Sequence, residues 1–443
     1  NKKKKILFFL FFTFSFVHSQ YSKNIKENYN RSKLIEDLYF IKEKIKNCHI
    51  NPYTYISEED FDKQFIEIEN KLEEKNSLYS FHKLIRPIFT NLSDDHARIQ
   101  DIYRNVVIIP LSLKSYQNKL FLKENFSNFE LTIGDELITV NNLTIKDLVN
   151  NCNNFSFGNR EFKNDYTLSN FINIIQKYCI KTDSYTFNFK SGKSVTFNKN
   201  ENRNFNDYKE NYLFGNDIQN ENLIYKKIRS NIGYVSFKNF SINDISIKQW
   251  KKELSKIFQK IKDDEIKTLY IDMSKNTGGG IMVGNILLNF ITDKKMKNFK
   301  YQHKDSKEYQ EFIKKFKKSL LNPKEKEEFY SIGFENRFKG KVYVIIGDKT
   351  YSSGIIFSTL VSDNKIATLI GETLTNAHPN HFGELIAFKT PNTELDFQFS
   401  TSSAVRPDET KPNQLIPDLE IDLTNKKIED IISFVENHTS QKK

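Results

Sequence analysis

Residues 341–354 read KVYVIIGDKTYSSG. Val342, Tyr343, Val344, Ile345 and Ile346 form a continuous apolar, β-branched run, which predicts a buried strand. Gly347 and Asp348 end it. Ser352 and Ser353 then precede Ile355, Ile356, Phe357 and Leu360, apolar positions at helical spacing. The stretch predicts a strand, a tight turn and a helix, with a serine held at the turn. Amides at the start of such a helix point at whatever that serine attacks. That arrangement suits a nucleophile beside an oxyanion site. The plainer reading is a serine that caps its helix.

Working outward, strand and helix alternate. Ile232–Phe237 predicts a strand. Ile247, Trp250, Leu254, Ile257 and Ile261 form a helical stripe. Thr268–Asp272 predicts another strand, closed by Asn276-Thr277-Gly278-Gly279-Gly280. A helix over Val283–Phe290, a charged helical segment to Phe329 and a strand at Ala367–Gly371 complete the series. This rhythm predicts a mainly parallel sheet covered by helices, with its site off the carboxyl ends of the strands. The glycine turn and the serine turn both lie there. The glycines read as a phosphate cradle, as a flexible turn, or as half of an oxyanion hole completed by the Ser353 amide. Neither GxxxxGK[ST] nor GxGxxG spacing is present.

Earlier in the chain, Leu34, Leu38, Ile41 and Ile45 mark a helix. Ser57–Asp60 reads as a capping box ahead of Phe61, Phe65, Ile68 and Leu72, and a third helix near Phe81–Leu92 is kinked or shortened by Pro87. A β-rich region follows, with strands at Val106–Ile109, Lys119–Lys123, Glu136–Val140, Tyr185–Phe189 and Ser194–Phe197. It holds a helix from Ile145 and a helical insertion near Tyr166–Cys179. Residues 199–225 are polar and read as a linker.

The chain begins NKKKK, ILFFLFFTFSFV, HSQ, the pattern of a secretory signal over residues 1–19 cleaved near Ser19. An uncleaved anchor is the alternative. The expected address is periplasmic or extracellular, with no stable membrane span after cleavage. Losing Lys2–Lys5 takes the formal charge from +11 to +7. The remaining lysines interleave with Asp and Glu, which reads as solvated helix surface and not a nucleic-acid patch. Of three cysteines, Cys152 and Cys179 are the pair that export allows to bond, against the alternative of three buried thiols. His378 and His381 are three apart without an obvious third ligand, so no metal or other cofactor is expected.

Seven segments in order carry a family resemblance: LSDDHARI, IGDELITVNNLTI, IGYVSF, LYIDMSKNTGGG, KTYSSG, KIATLIGE and VRPDE…LIPDLEI. Together they resemble the C-terminal processing (tail-specific) peptidase and tricorn-core family of serine peptidases. That family reads "DGHT", "GDEI..ING", "IDLRxNxGG", "TFSAAE", "ATLVGE" and "PDIEV" at these places. The resemblance implies an α/β core of crotonase-like type over 226–443, a PDZ-like domain over 103–198 and an N-terminal helical subdomain over 20–102. Ser352 matches the nucleophile and His96 the histidine of the tricorn-like branch. The branch with a Ser-Lys dyad is disfavoured, because Ala377 stands where its lysine would be and GETLTNAHPNHFGE contains none. Glu409 matches the orienting glutamate by position, with Glu372 and Glu384 as alternatives. Gly278, Gly279 and Ser353 are the implied oxyanion donors. DDHA, SSGI (Ile355 for the family's glutamate) and MSKN depart from the pattern.

The reading is therefore an exported serine endopeptidase that forms an acyl-enzyme on Ser352, with His96 as base and peptide or unfolded protein as substrate. The alternative is a non-catalytic protein on the same scaffold that binds a peptide or an apolar ligand. An acyl-CoA enzyme of crotonase type fits less well, since it needs neither an export signal nor the β-rich region.

Overall fold

The computed structural model describes residues 27–102, 107–156, 163–199, 222–241, 247–317, 336–374, 378–424 and 426–440. The leader, most of the polar segment at 199–225 and Ala377 lie outside the described residues.

The chain opens with β1 (Asn28–Asn30), α1 (Arg31–Cys48), α2 (Glu58–Asn70), β2 (Lys75–Ser77), α3 (Leu78–Asn91) and β3 (Arg98–Ile99). Helix α1 buries Leu34, Leu38, Ile41 and Ile45, one stripe at three- and four-residue spacing. Ser57 caps α2, its Oγ accepting the Asp60 N–H at 3.0 Å. Helix α3 runs on past Pro87, which does not shorten it. These helices do not close a core of their own. Their apolar cluster includes Ile386, Leu395, Phe397 and Phe399 from far along the chain. Fully buried Asp37 on α1 fixes that union. It accepts the N–H groups of Asn392 and Thr393, each at 2.8 Å, and the Thr393 hydroxyl at 2.5 Å.

A five-stranded antiparallel sheet follows, in the order β4-β5-β6-β8-β9, with β7 added to β6. Its elements are β4 (Leu111–Tyr116), β5 (Lys119–Asn125), β6 (Glu136–Val140), β7 (Leu143–Thr144), α4 (Ile145–Cys152), α5 (Lys163–Ser169), α6 (Phe171–Ile174), β8 (Ser184–Phe189) and β9 (Ser194–Asn198). The strand expected at Val106–Ile109 starts instead at Leu111. Pro110 has no N–H for a ladder, so regular pairing begins after it. A disulfide joins Cys152 at the end of α4 to Cys179, with Cα atoms 6.0 Å apart; Cys48 is free and buried.

The last region holds β10 (Leu223–Arg229), β11 (Ile232–Phe237), α7 (Ile247–Asp263), β12 (Thr268–Asp272), α8 (Ile281–Ile291), β13 (Lys300–His303), α9 (Lys307–Lys317), β14 (Lys341–Ile346), α10 (Ser353–Asp363), β15 (Thr368–Gly371), β16 (His381–Lys389), β17 (Asp396–Val405), β18 (Leu419–Glu420) and α11 (Ile428–Ser440). Six strands form one sheet in the order β10-β11-β12-β14-β15-β18. All its pairs are parallel except β10 with β11. Strand β14 explains its own sequence. Val342, Val344 and Ile346 enter the core shared with α7, α8 and α10, while Tyr343 and Ile345 enter a second core with Ile431 and Ile432 of α11. A strand buried on both faces reads as a continuous apolar run.

A second sheet is the β16–β17 hairpin, with β13 and β3 on the far edge of β17. Ile99 pairs with Phe397, and Arg98 with Gln398. This bridge ties the N-terminal segment into the C-terminal region and places His96 at the parallel sheet's carboxyl edge.

Candidate active site

The serine turn is clamped from below. The Gly347 N–H donates to Thr350 Oγ (3.0 Å), the Thr350 hydroxyl donates to the Met273 carbonyl (2.8 Å), and the Tyr351 N–H donates to the Asn276 carbonyl (2.9 Å). Held this way, Ser352 adopts φ 52° and ψ −122°. Backbone in that region costs a non-glycine residue about 1–3 kcal/mol. Ser352 stands at the N-cap of α10, yet its side chain caps nothing. The plainer reading of this serine therefore does not hold. Ser352 is partly exposed and Ser353 is buried. The Ser353 N–H occupies the first helical position, where no carbonyl of its own helix reaches it.

The glycine turn packs directly on this elbow. Gly278 has φ 96°, and a Cβ there would lie 2.6 Å from Ser352 Cβ and 3.2 Å from its Oγ. Gly279 has φ 137°, and its Cβ would meet the Phe240 carbonyl at 2.4 Å. Both positions admit only glycine. The Gly278 N–H donates to Asn276 Oδ1 at 2.9 Å. That bond removes Gly278 from the expected oxyanion donors. The amides of half-exposed Gly279 and buried Ser353, neither of which makes a hydrogen bond among the described residues, remain.

His96 sits just before β3, its side chain 12% exposed. Its ring lies 6.0 Å from the Tyr351 ring, centroid to centroid, at an interplanar angle of 45°. Ser352 and His96 thus share a neighbourhood without a hydrogen bond between them. His96 Nδ1 is enclosed and has no hydrogen-bond partner among the described residues. Enclosure lowers the His96 pKa to about 4. The Asp94 carboxylate opposes this shift, as does the Phe382 carbonyl, and the charges of Arg98 and His381 reinforce it.

Asp94 is the carboxylate beside this histidine, and the sequence reading missed it. It is fully buried. Its Oδ1 accepts the His96 N–H and the Ser400 hydroxyl, both at 2.9 Å, and its Oδ2 accepts the Ser400 N–H at 2.8 Å. His49 Nε2 lies 3.5 Å from Oδ2. Desolvation alone would raise the Asp94 pKa, but His49 and His96 more than offset it and hold the group at about 2. The signal was the aspartate two residues before the histidine in LSDDHA.

Glu409 is not brought to His96. It is exposed and ion-paired with Lys300. The Asp408 N–H next to it donates to Asp363 Oδ2 at 3.1 Å, at the opposite end of α10 from Ser352. An 11-residue helix is roughly 16 Å long. The alternatives are engaged elsewhere too. Glu372 accepts from Lys114 and the Leu423 N–H, and Glu384 contacts His303 and Tyr309. His378 and His381 hydrogen-bond to different carbonyls, those of Asn413 and Pro379. Among the described residues no group of three or more His, Cys, Asp or Glu is arranged to hold a metal, and no helix is long and apolar enough to cross a membrane.

Two cavities stand out. The larger, about 930 Å³, lies among the N-terminal helices and touches neither Ser352 nor His96. The smaller, about 330 Å³, is lined by Tyr351. Proximity to the elbow makes the smaller one relevant to chemistry.

Residues 231–421 match the model of peptidase family S41. The structure is similar to that of mature CPAF, with a TM-score of 0.62 at 14% identity over 89% of this chain and 93% of that chain. It is equally similar to mature CPAF complexed with lactacystin, again with a TM-score of 0.62 at 14% identity, over 93% and 97% of the two chains. At this identity the likeness is one of fold. No curated protein sequence matches this chain.

Proposed function

Because the chain belongs to peptidase family S41 through residues 231–421, and is a serine-type peptidase acting on peptides or proteins, we propose that Ser352 is its nucleophile and His96 its general base. The observation that carries this reading is the elbow. A serine held at positive φ, capping nothing and partly exposed, sits where a glycine turn and a helix start converge.

In the proposed reaction, Ser352 Oγ bonds to the scissile carbonyl carbon as its proton passes to the His96 ring. The neutral imidazole that enclosure favours is the form able to accept it. The tetrahedral oxyanion lies against the Gly279 and Ser353 amides. The C–N bond then breaks, and His96 returns the proton to the leaving amine. Water repeats the cycle on the acyl-enzyme. Asp94 acts as a positioning residue: it holds the backbone of His96 and lends its charge to the imidazolium. No hydrogen bond joins Ser352 to His96 in the resting structure, so substrate would bring them into register, as is common at catalytic hydrogen bonds without ligand.

The antiparallel sheet of residues 107–199 supports a PDZ-like reading, and the parallel sheet between two helical layers supports a crotonase-like core. A cleft between them would admit an internal stretch of peptide, hence an endopeptidase. The basic-then-apolar residues 1–19 and the Cys152–Cys179 disulfide support an exported address. The test is direct. The wild-type protein should hydrolyse an unfolded protein and take up a fluorophosphonate probe. The Ser352→Ala variant, folded by circular dichroism, should do neither. Retained hydrolysis in that variant would overturn the assignment.

A further inference from the structure

We infer that Arg98 and the cavity beside Tyr351 form a subsite for one carboxylate of the substrate, close to the bond that is cut. This rests on the serine-peptidase reading above and adds what the site selects.

The cavity of about 330 Å³ opens where three parts of the chain meet. Arg86, Asp95, Arg98 and Asp101 come from the N-terminal segment, Ser156 and Lys177 from the region of the disulfide, and Tyr351 from the elbow. Among the described residues, three cationic and two anionic side chains line it, one more cation than anion. That balance suits a singly charged anion and works against a doubly charged phosphate.

The cations are not equivalent. Lys177 is ion-paired with Asp101. Arg86 donates from Nε to the Phe155 carbonyl at 2.9 Å, and its guanidinium lies 4.3 Å from the Tyr178 ring centroid. Arg98 is different. Its Nη2 makes a long 3.4 Å contact to the Asp95 carbonyl oxygen and its side chain hydrogen-bonds to the Tyr351 phenol, but its guanidinium has no carboxylate partner among the described residues. Its Nε is enclosed with no hydrogen-bond acceptor there. The Ser156 hydroxyl, on a residue 1% exposed and in the same cavity, also has no partner among the described residues. A guanidinium is strongly driven to find an acceptor, and a carboxylate can take two of its N–H groups at once.

The placement says where in the substrate this anion belongs. The Arg98 charge acts on both the His96 ring and the Tyr351 phenol. Tyr351 precedes the proposed nucleophile and forms a wall of the cavity. A group entering it therefore comes from a residue within a few positions of the scissile bond. Two sources share this chemistry, an Asp or Glu side chain and the α-carboxylate of a chain terminus.

The test has three arms. Denatured serum albumin is partly digested, and the new termini are mapped by mass spectrometry. Peptides spanning a mapped site are then made with Glu or with Gln, and with a free-acid or amidated C-terminus. We expect one position near the cut to be enriched in Asp or Glu, or the free acid to be favoured over the amide. The preference in kcat/KM should be at least about tenfold. In Arg98→Gln that ratio should fall to about one, while Arg98→Lys keeps part of it. Equal wild-type rates on both pairs overturn the inference without needing a folded variant, as does a ratio that Arg98→Gln leaves unchanged. Fluorophosphonate labelling separates the two levels. A labelled enzyme indifferent to carboxylates sinks this inference alone, whereas a protein that neither labels nor cleaves sinks the peptidase assignment and this inference with it.

Discussion

Asp94 Oδ1 accepts the His96 backbone N–H at 2.9 Å, and the same oxygen lies 3.8 Å from His96 Nδ1. One buried carboxylate therefore fixes the segment that carries the histidine and faces its ring.

Asp94→Asn keeps the shape of that contact and removes its charge. Peptide hydrolysis should drop by about 10²–10⁴-fold in kcat with a smaller change in KM, since an imidazolium formed during the reaction loses its counter-charge. The acid limb of the pH profile should also move to lower pH, because Asp94 raises the His96 pKa. A purely structural role would not move that limb. An unchanged limb with reduced stability would assign Asp94 to folding alone.

Gly278→Ala should affect chemistry more than folding. The new Cβ would lie 2.6 Å from Ser352 Cβ at a φ of 96°, so the elbow must shift. We expect a loss of activity of at least about 10²-fold, the scale set by a misplacement of about 1 Å. Stability should fall by about 1–3 kcal/mol. Fluorophosphonate labelling and a urea melt on one preparation would check both. Labelling at the wild-type rate would show that the turn does not hold Ser352.

Stability should fall on mild acidification. Enclosure holds His82, His96 and His378 down to about 4 from an ordinary 6.5. The unfolded chain takes up these protons below about 6.5 and the folded chain only near 4, so unfolding is favoured as pH falls through that window. Thermal melts between pH 7 and pH 4 should show a Tm that declines steadily. A Tm flat to pH 4 would contradict the burial of these rings. The low Asp94 value acts only below the carboxylate range and does not alter this window.

Reduction should loosen the middle of the chain. The Cys152–Cys179 bond closes a loop with a sequence separation of 27. Losing such a cross-link destabilises by about 3.5 kcal/mol in the chain-entropy view. Dithiothreitol, or Cys152→Ser with Cys179→Ser, should lower the Tm of the wild type. Insensitivity to reductant would mean that the bond does not form in solution.

Much of this arrangement was legible in the chain. The apolar run at Val342–Ile346 signalled a buried strand, and the glycines from 278 to 280 left an oxyanion hole as one of three readings. What stayed hidden depends on pairing over long distances. The β16–β17 hairpin is rich in Ser and Thr, and its partners, Arg98 and Ile99, lie some 300 residues upstream. That register decides which carboxylates surround His96, and it favours Asp94 over Glu409. A count along the chain cannot reveal that Glu409 lies at the wrong end of a helix. Nor could the glycine pattern reveal which of two adjacent amides Asn276 consumes.

The pairing of β3 with β17 also sets an order of events during synthesis. The segment with His96 is made early, but the strand it docks on, Asp396–Val405, leaves the ribosome long after Ser352. On the proposed assignment, nucleophile and base cannot be aligned until almost all of the chain is available to fold. An unfinished chain would carry both reactive residues and still be inert. On that assignment a hydrolase that attacks unfolded polypeptide would stay inactive until its own chain is nearly complete.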